Sequence, residues 1–162
     1  MPLARFSTHD KRTAHSKECF AIWVCSPSGI FFTANHVVSE FPRSTFLGGT
    51  RVLAAGEWVV SAGKILLISH KTGHHATGPA NLYNALRQLE SRVDLSRTAA
   101  LLRDFVKNQE VYVTVQEFLA KGGRVAECTP IAGDVAAAAR SRCRAHVDWD
   151  GAQGPGARAY RA

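Results

Sequence analysis

The sequence predicts an α+β domain: a mainly antiparallel sheet of β-hairpins, one principal helix packed on a face, and a flexible tail. Three observations carry that expectation. Apolar, β-prone runs come in pairs separated by short turns rich in Gly, Ser or Pro. The segment after Pro79 places its leucines at helical spacing. Beyond Gly123 the composition shifts to alanine, arginine and glycine.

The chain has 162 residues, of which 46% are hydrophobic. That suits one core, since a domain takes ~100–200 residues. Residues 1–17 are polar and mixed in charge and read as a loose N-terminal arm. Residues 18–123 read as a single α+β domain, and residues 124–162 as a basic, Ala/Gly/Arg-rich, poorly ordered tail.

The elements follow in order. Cys19-Phe20-Ala21-Ile22-Trp23-Val24-Cys25 and Ile30-Phe31-Phe32-Thr33 flank the turn Ser26-Pro27-Ser28-Gly29, which predicts a hairpin. Its apolar side chains fall on both faces, so both should be covered. Ser44 to Leu47 makes a short strand broken at Gly48-Gly49, and Arg51 to Ala55 can continue it. Gly56 to Val60 and Lys64 to Ser69 form a second hairpin, with Gly63 supplying a positive φ. Thr72 to Pro79 is a loop. Pro79 to Arg92 is a helix with Leu82, Ala85, Leu86 and Leu89 on one face.

Residues 99–106 fit a helix or a strand equally. Val111 to Val115 is a strand, and Gln116 to Ala120 a short helix stopped by Gly122-Gly123. Within the tail, Val135 to Cys143 can form a short helix.

Charge and cysteine content exclude several function classes. Lys and Arg number 20 and Asp and Glu 13, for a net charge of +7. The excess is +2 over residues 1–20, +2 over 21–120 and +3 over 121–162. A spread excess favours solubility and makes a weak footprint for nucleic-acid recognition. No window approaches the ~18–20 apolar residues of a membrane span. The N-terminal residues have no signal-peptide core, so the expected location is the cytoplasm of the producing cell, with any export by a route independent of a signal peptide. Cys19, Cys25, Cys128 and Cys143 show no CxxC spacing and read as reduced thiols.

Reactive side chains are densest between His36 and His75: His36, Arg43, Ser44, Thr45, Glu57, Ser69, His70, His74 and His75. Ser44 or Thr45 with His74 as base and Glu57 as orienting group has the ingredients of nucleophilic catalysis. A Ser-Thr pair capping a turn is the plainer alternative. His70, His74 and His75 lack a carboxylate close in sequence, which argues against a metal site. Arg43-Ser44-Thr45 followed by Glu57 carries the residue types of an NAD-dependent ADP-ribosyltransferase, in compressed spacing and without Glu-x-Glu. Gly48-Gly49 is not followed by Lys-Ser/Thr, so it is no Walker loop. No metal or cofactor is expected.

The run Phe41-Pro42-Arg43-Ser44-Thr45-Phe46-Leu47-Gly48-Gly49, then Ala55-Gly56, the hairpin to Ser69, Thr72-Gly73-His74-His75, Leu82 to Glu90 and Val93-Asp94-Leu95-Ser96 resembles a known family. It is similar to the C-terminal conserved region of plant IQ-motif calmodulin-binding proteins and its bacterial and fungal relatives, over roughly residues 19–120. Arg43 stands where that family has histidine, Thr45 where it has serine, and His75 where it has tyrosine. The IQ motif itself is absent, so calmodulin binding is not implied.

What the resemblance implies is a secreted effector- or toxin-type domain acting on a protein partner. The surface would combine Phe41 to Gly49 with Thr72 to His75: Arg43, Thr45, Gly48, Gly49 and His75 bind, and His74 and Ser44 supply polar contacts. The alternative is an enzyme in the same cleft, either a hydrolase or an ADP-ribosyltransferase-like protein using Ser44, Glu57 and His74. A catalytically inactive remnant is the third reading.

Overall fold

The computed structural model describes residues 6–34, 51–71, 77–145 and 160–161. The possible strand from Ser44 to Leu47 lies outside them. In chain order the elements are β1 (Arg12–Thr13), β2 (Lys17–Glu18), β3 (Ala21–Cys25), β4 (Phe31–Ala34), β5 (Ala54–Ser61), β6 (Lys64–Ser69), α1 (Pro79–Leu89), β7 (Ala99–Asp104), β8 (Gln109–Thr114), α2 (Val115–Ala120), a 3-10 turn at Val125–Glu127, α3 (Val135–Ala145) and β9 (Tyr160–Arg161). β1 and β2 pair by themselves, and the other strands form a sheet in the order β8-β7-β6-β5-β3-β4-β9. Every pairing is antiparallel except β6 with β7, whose connection carries α1 over the sheet. The α+β expectation therefore holds.

Local chemistry explains both expected hairpins. At the β3–β4 turn the Ser26 hydroxyl accepts the Ile30 N–H at 3.0 Å, and the Gly29 N–H donates to the Ser26 carbonyl at 2.9 Å. The β5–β6 turn narrows to Ala62 and Gly63, both at positive φ (49° and 78°). That conformation matches the strand twist but is unfavourable for alanine. Two bonds from the N-terminal residues hold it: Ala62 N–H donates to the Ser7 hydroxyl at 2.8 Å, and Gly63 N–H to the Phe6 carbonyl at 2.8 Å.

The helix α1 starts as its residues require. Pro79 occupies the first turn and the Asn81 side chain accepts the Gly78 N–H at 3.0 Å. Leu82, Ala85, Leu86 and Leu89 are fully buried against Trp23, Trp58 and Phe31. Each leucine contributes ~1.5–3 kcal/mol. Residues 99–104, ambiguous by period, form a strand. Ala100 and Leu102 face the α1 side while Ala99 and Leu101 pack on the other. A strand covered on both faces shows no alternation to read.

Residues 6–17, expected as a loose arm, are packed in place. The Phe6 ring lies 6.3 Å from Trp58, and Thr8 pairs with Val60 through backbone and hydroxyl. Residues 124–145, expected within a poorly ordered tail, also pack. The short helix anticipated there is α3, which buries Ala139 and Cys143 against Val59, Leu66, Leu67 and Leu101. Arg140 lies 5.1 Å from the centre of the Phe20 ring and donates to the Ser16 carbonyl at 2.6 Å. The sheet is thus clad on two sides, by α1, α2 and Phe6 on one and by α3 with Cys19 and Phe20 on the other. Alanine, threonine and cysteine make these contacts, and their weak hydrophobicity leaves little pattern in the sequence.

A chain ending at Gly133 should lose ~2–5 kcal/mol of unfolding free energy in urea, because Leu66 and Leu67 lose their cover. An unchanged midpoint and slope would show that α3 adds nothing. Gly56→Ala should cost ~3 kcal/mol or more, since an added Cβ would stand 1.8 Å from the Ser69 carbonyl oxygen. A variant that melts with the parent chain would contradict that close approach.

Candidate functional site

The best-defined polar corner of the molecule lies where β5 begins and β6 ends. At Gly56 the two strands approach so closely that no side chain fits. The Trp23 indole N–H reaches both the Glu57 carbonyl (3.3 Å) and the Ser69 carbonyl (3.2 Å). The Ser69 hydroxyl donates to the same Glu57 carbonyl at 3.3 Å. Past Ser69 comes His70, buried, whose Nε2 accepts the Arg103 N–H at 3.0 Å across the parallel β6–β7 pair. The Thr77 hydroxyl stands 3.1 Å from the Ala55 carbonyl and 3.2 Å from the His70 carbonyl. Asn81 donates from its amide to the Leu53 carbonyl at 3.1 Å.

Of the residues singled out by sequence, Glu57, Ser69 and His70 lie in this described corner. His36, Arg43, Ser44, Thr45, Gly48, Gly49, His74 and His75 lie outside the described residues. Glu57 is fully buried, and its Oε2 accepts the Thr13 hydroxyl at 2.5 Å. Its neighbour Trp58 faces α1, so the carboxylate points to the opposite face of the sheet. β4 ends at Ala34, which pairs with Ile22, and Ile22 pairs with Glu57 on its other side. The last described residue before position 51 thus lies beside the strand pair that carries Glu57. Within residues 51–55, Ala55 is held by Thr77 and Leu53 by Asn81.

Sequence reasoning missed Thr77, Asn81, Arg103 and Gly56. A signal existed for Asn81, which sits three positions after Gly78 at a Pro-marked helix start, a capping arrangement. Nothing local marked Arg103, which meets His70 only through strand pairing.

Burial lowers the His70 pKa below its ordinary 6.5, against smaller opposing effects from hydrogen bonds and Glu110. With Nε2 accepting a backbone N–H, the neutral ring carries its proton on Nδ1. Its Nε2 lone pair is thereby engaged and cannot bind a metal in this arrangement. Among the described residues no three His, Cys, Asp or Glu side chains gather around a common point suited to an ion. No helix among them is long and apolar enough to cross a membrane. The thiols offer no activated nucleophile: Cys19, Cys25 and Cys143 are buried, and burial pushes both Cys25 and Cys143 up to about 11.

Residues 5–82 match the family model of the IQ motif-containing protein middle domain. That stretch runs from the packed N-terminal residues through both hairpins into α1, and it is related to that domain. It begins earlier and ends sooner than the resemblance read from sequence, and so includes the residues that hold the β5–β6 turn. No curated protein and no solved structure matches the chain.

Two measurements check this corner. Because the folded His70 takes up a proton less readily than the unfolded chain, stability is full above pH 6.5 and declines as pH falls below that value. His70→Gln, which keeps an acceptor for Arg103, should flatten that acid limb in urea titrations at several pH values, and an unaltered limb would assign it elsewhere. Under native conditions iodoacetamide should modify Cys128 before Cys25 or Cys143, read by peptide mass mapping; early loss of the Cys25 or Cys143 thiol would contradict their burial.

Proposed function

We propose that this chain is an effector- or toxin-type domain that acts on a protein partner through a surface formed by residues 41–49 and 72–75. One observation carries the reading. The chain on the far side of residues 35–50 and the chain on the far side of residues 72–76 are hydrogen-bonded to each other, through Thr77 to Ala55 and Asn81 to Leu53. The described residues that follow each block in sequence thus meet at one corner of the sheet, the kind of place where binding loops sit.

The match to the IQ motif-containing protein middle domain supports a protein partner. The finer relationship, to the conserved region of the plant proteins and its bacterial and fungal relatives, belongs to the same proposal. Arg43 supplies a planar guanidinium suited to a carboxylate on the partner. His74 adds a second polar contact, with Ser44 as hydrogen-bond donor and Thr45, Gly48, Gly49 and His75 completing the surface.

A benzophenone photo-crosslinker placed at position 43 or position 74 tests this in cells expressing the chain. Both positions should trap the same host protein, and a crosslinker at Arg87, on the exposed side of α1, should not. Labelling at position 87 equal to that at 43 and 74, or different proteins at 43 and 74, would remove the shared surface. Arg43→Ala and His74→Ala should each weaken binding to the trapped protein roughly tenfold without shifting the melting temperature. If Ser44→Ala instead leaves binding intact and abolishes a chemical change in that protein, the enzyme reading replaces this one.

A further inference from the structure

Two cysteines far apart in the chain are brought together on the α3 side of the sheet. Cys19, just before β3, and Cys143, in the last turn of α3, are both buried and belong to one apolar cluster. The Thr8 hydroxyl bridges them: it donates to the Cys19 carbonyl at 2.6 Å and lies 3.8 Å from the Cys143 sulfur. The same two segments are tied again beside this point. Arg140 donates to the Ser16 carbonyl at 2.6 Å and to the Glu18 carbonyl at 3.3 Å, and Arg144 donates to the Glu18 carboxylate at 2.5 Å. Burial raises the Cys143 thiol to about 11 and its bond with Thr8 opposes the rise, while the Cys19 thiol adds to it through charge and a hydrogen bond. The two thiols therefore meet, and cysteines so placed need little backbone movement to bond.

The backbone at Cys19 is a separate observation. Its φ is 69°, a left-handed conformation that suits glycine and is costly for cysteine. Strain kept at a non-glycine residue points to a use for its side chain. A buried cysteine often serves as a small apolar filler, but a filler requires neither a strained backbone nor a second thiol as its neighbour.

We infer that Cys19 and Cys143 form a redox pair that closes to a disulfide when the chain meets a small disulfide oxidant such as oxidised glutathione, stapling the N-terminal segment to α3. The two buried residues of α3 are Ala139 and Cys143, so a local opening that lifts this helix breaks few contacts and lets the thiols reach solvent. One protein thiolate then attacks a glutathione sulfur, breaking the glutathione S–S bond and releasing one glutathione thiolate. The second protein thiolate attacks the protein sulfur of the mixed disulfide and releases the other. Two protein thiols are oxidised, one glutathione disulfide is reduced to two thiols, and the two S–H protons end on the glutathione released. The new bond encloses most of the chain, and closing so long a loop restricts the unfolded state strongly. The second face of the sheet is thus looser in a reducing compartment and locked in an oxidising one. None of this depends on the proposed binding surface.

The test incubates the full, folded chain with oxidised glutathione, blocks remaining thiols with N-ethylmaleimide and maps the peptides without reduction. The Cys19 and Cys143 peptides should appear joined, with Cys25 and Cys128 not linked to each other or to either of them. The melting temperature should rise by roughly 5–15 °C and return to its starting value with dithiothreitol. Cys19→Gly, which the positive φ suits, should fold and show no such rise. A link through Cys25 or Cys128, glutathione retained on Cys19 or Cys143, or thiols that stay free would overturn the pair. So would a Cys19–Cys143 link that forms only after the chain is unfolded in urea, or a rise that persists in Cys19→Gly.

Discussion

The missing side chain at residue 56 governs the geometry of this molecule. With no Cβ there, β5 lets the end of β6 come within contact of its backbone, and the Trp23 indole closes the gap by bonding to carbonyls on both strands. A buried indole N–H needs a partner, and here the carbonyls of Glu57 and Ser69 supply it. Just past this approach His70 meets Arg103, and Thr77 bonds to Ala55. Remove that approach and the start of β5, the end of β6 and the start of α1 no longer share a corner.

A second constraint operates on the other face of the sheet. The N-terminal segment and α3 clasp each other there: Thr8 bonds to Val60 and lies 3.8 Å from the Cys143 sulfur, while Arg144 pairs with Glu18. Carboxylates of this region are engaged, Glu57 by Thr13, Glu18 by Arg144 and Asp10 by Lys11. The same N-terminal residues hold the positive-φ turn at Ala62, so the second hairpin depends on chain far from it in sequence. That dependence fits the family match, which includes these residues together with both hairpins.

Much of the fold was legible. Turn chemistry at Ser26 to Gly29 and at Gly63 placed both hairpins, and the leucine spacing after Pro79 placed α1 and its buried face. Less of the site was. Glu57, Ser69 and His70 stood out by residue type, yet no local pattern could say that Glu57 turns away from α1 or that His70 meets Arg103. Strand pairing decides both, and pairing between residues 70 and 103 leaves no trace in either segment alone. The packed N-terminal segment and α3 were hidden for another reason: Thr8, Thr13, Ala139 and Cys143 bury small side chains that hydrophobic periodicity barely registers.

By itself the sequence determined the local structure, because turn residues, helix starts and apolar spacing act over a few positions and their physics is complete within them. Only the tertiary structure decided that β6 and β7 run parallel, that α3 is what covers the second face, and that residues 51–55 meet residues 77–81. Those outcomes depend on which surfaces exclude water together and which backbone groups are left to pair, and such quantities exist only once distant segments are in contact.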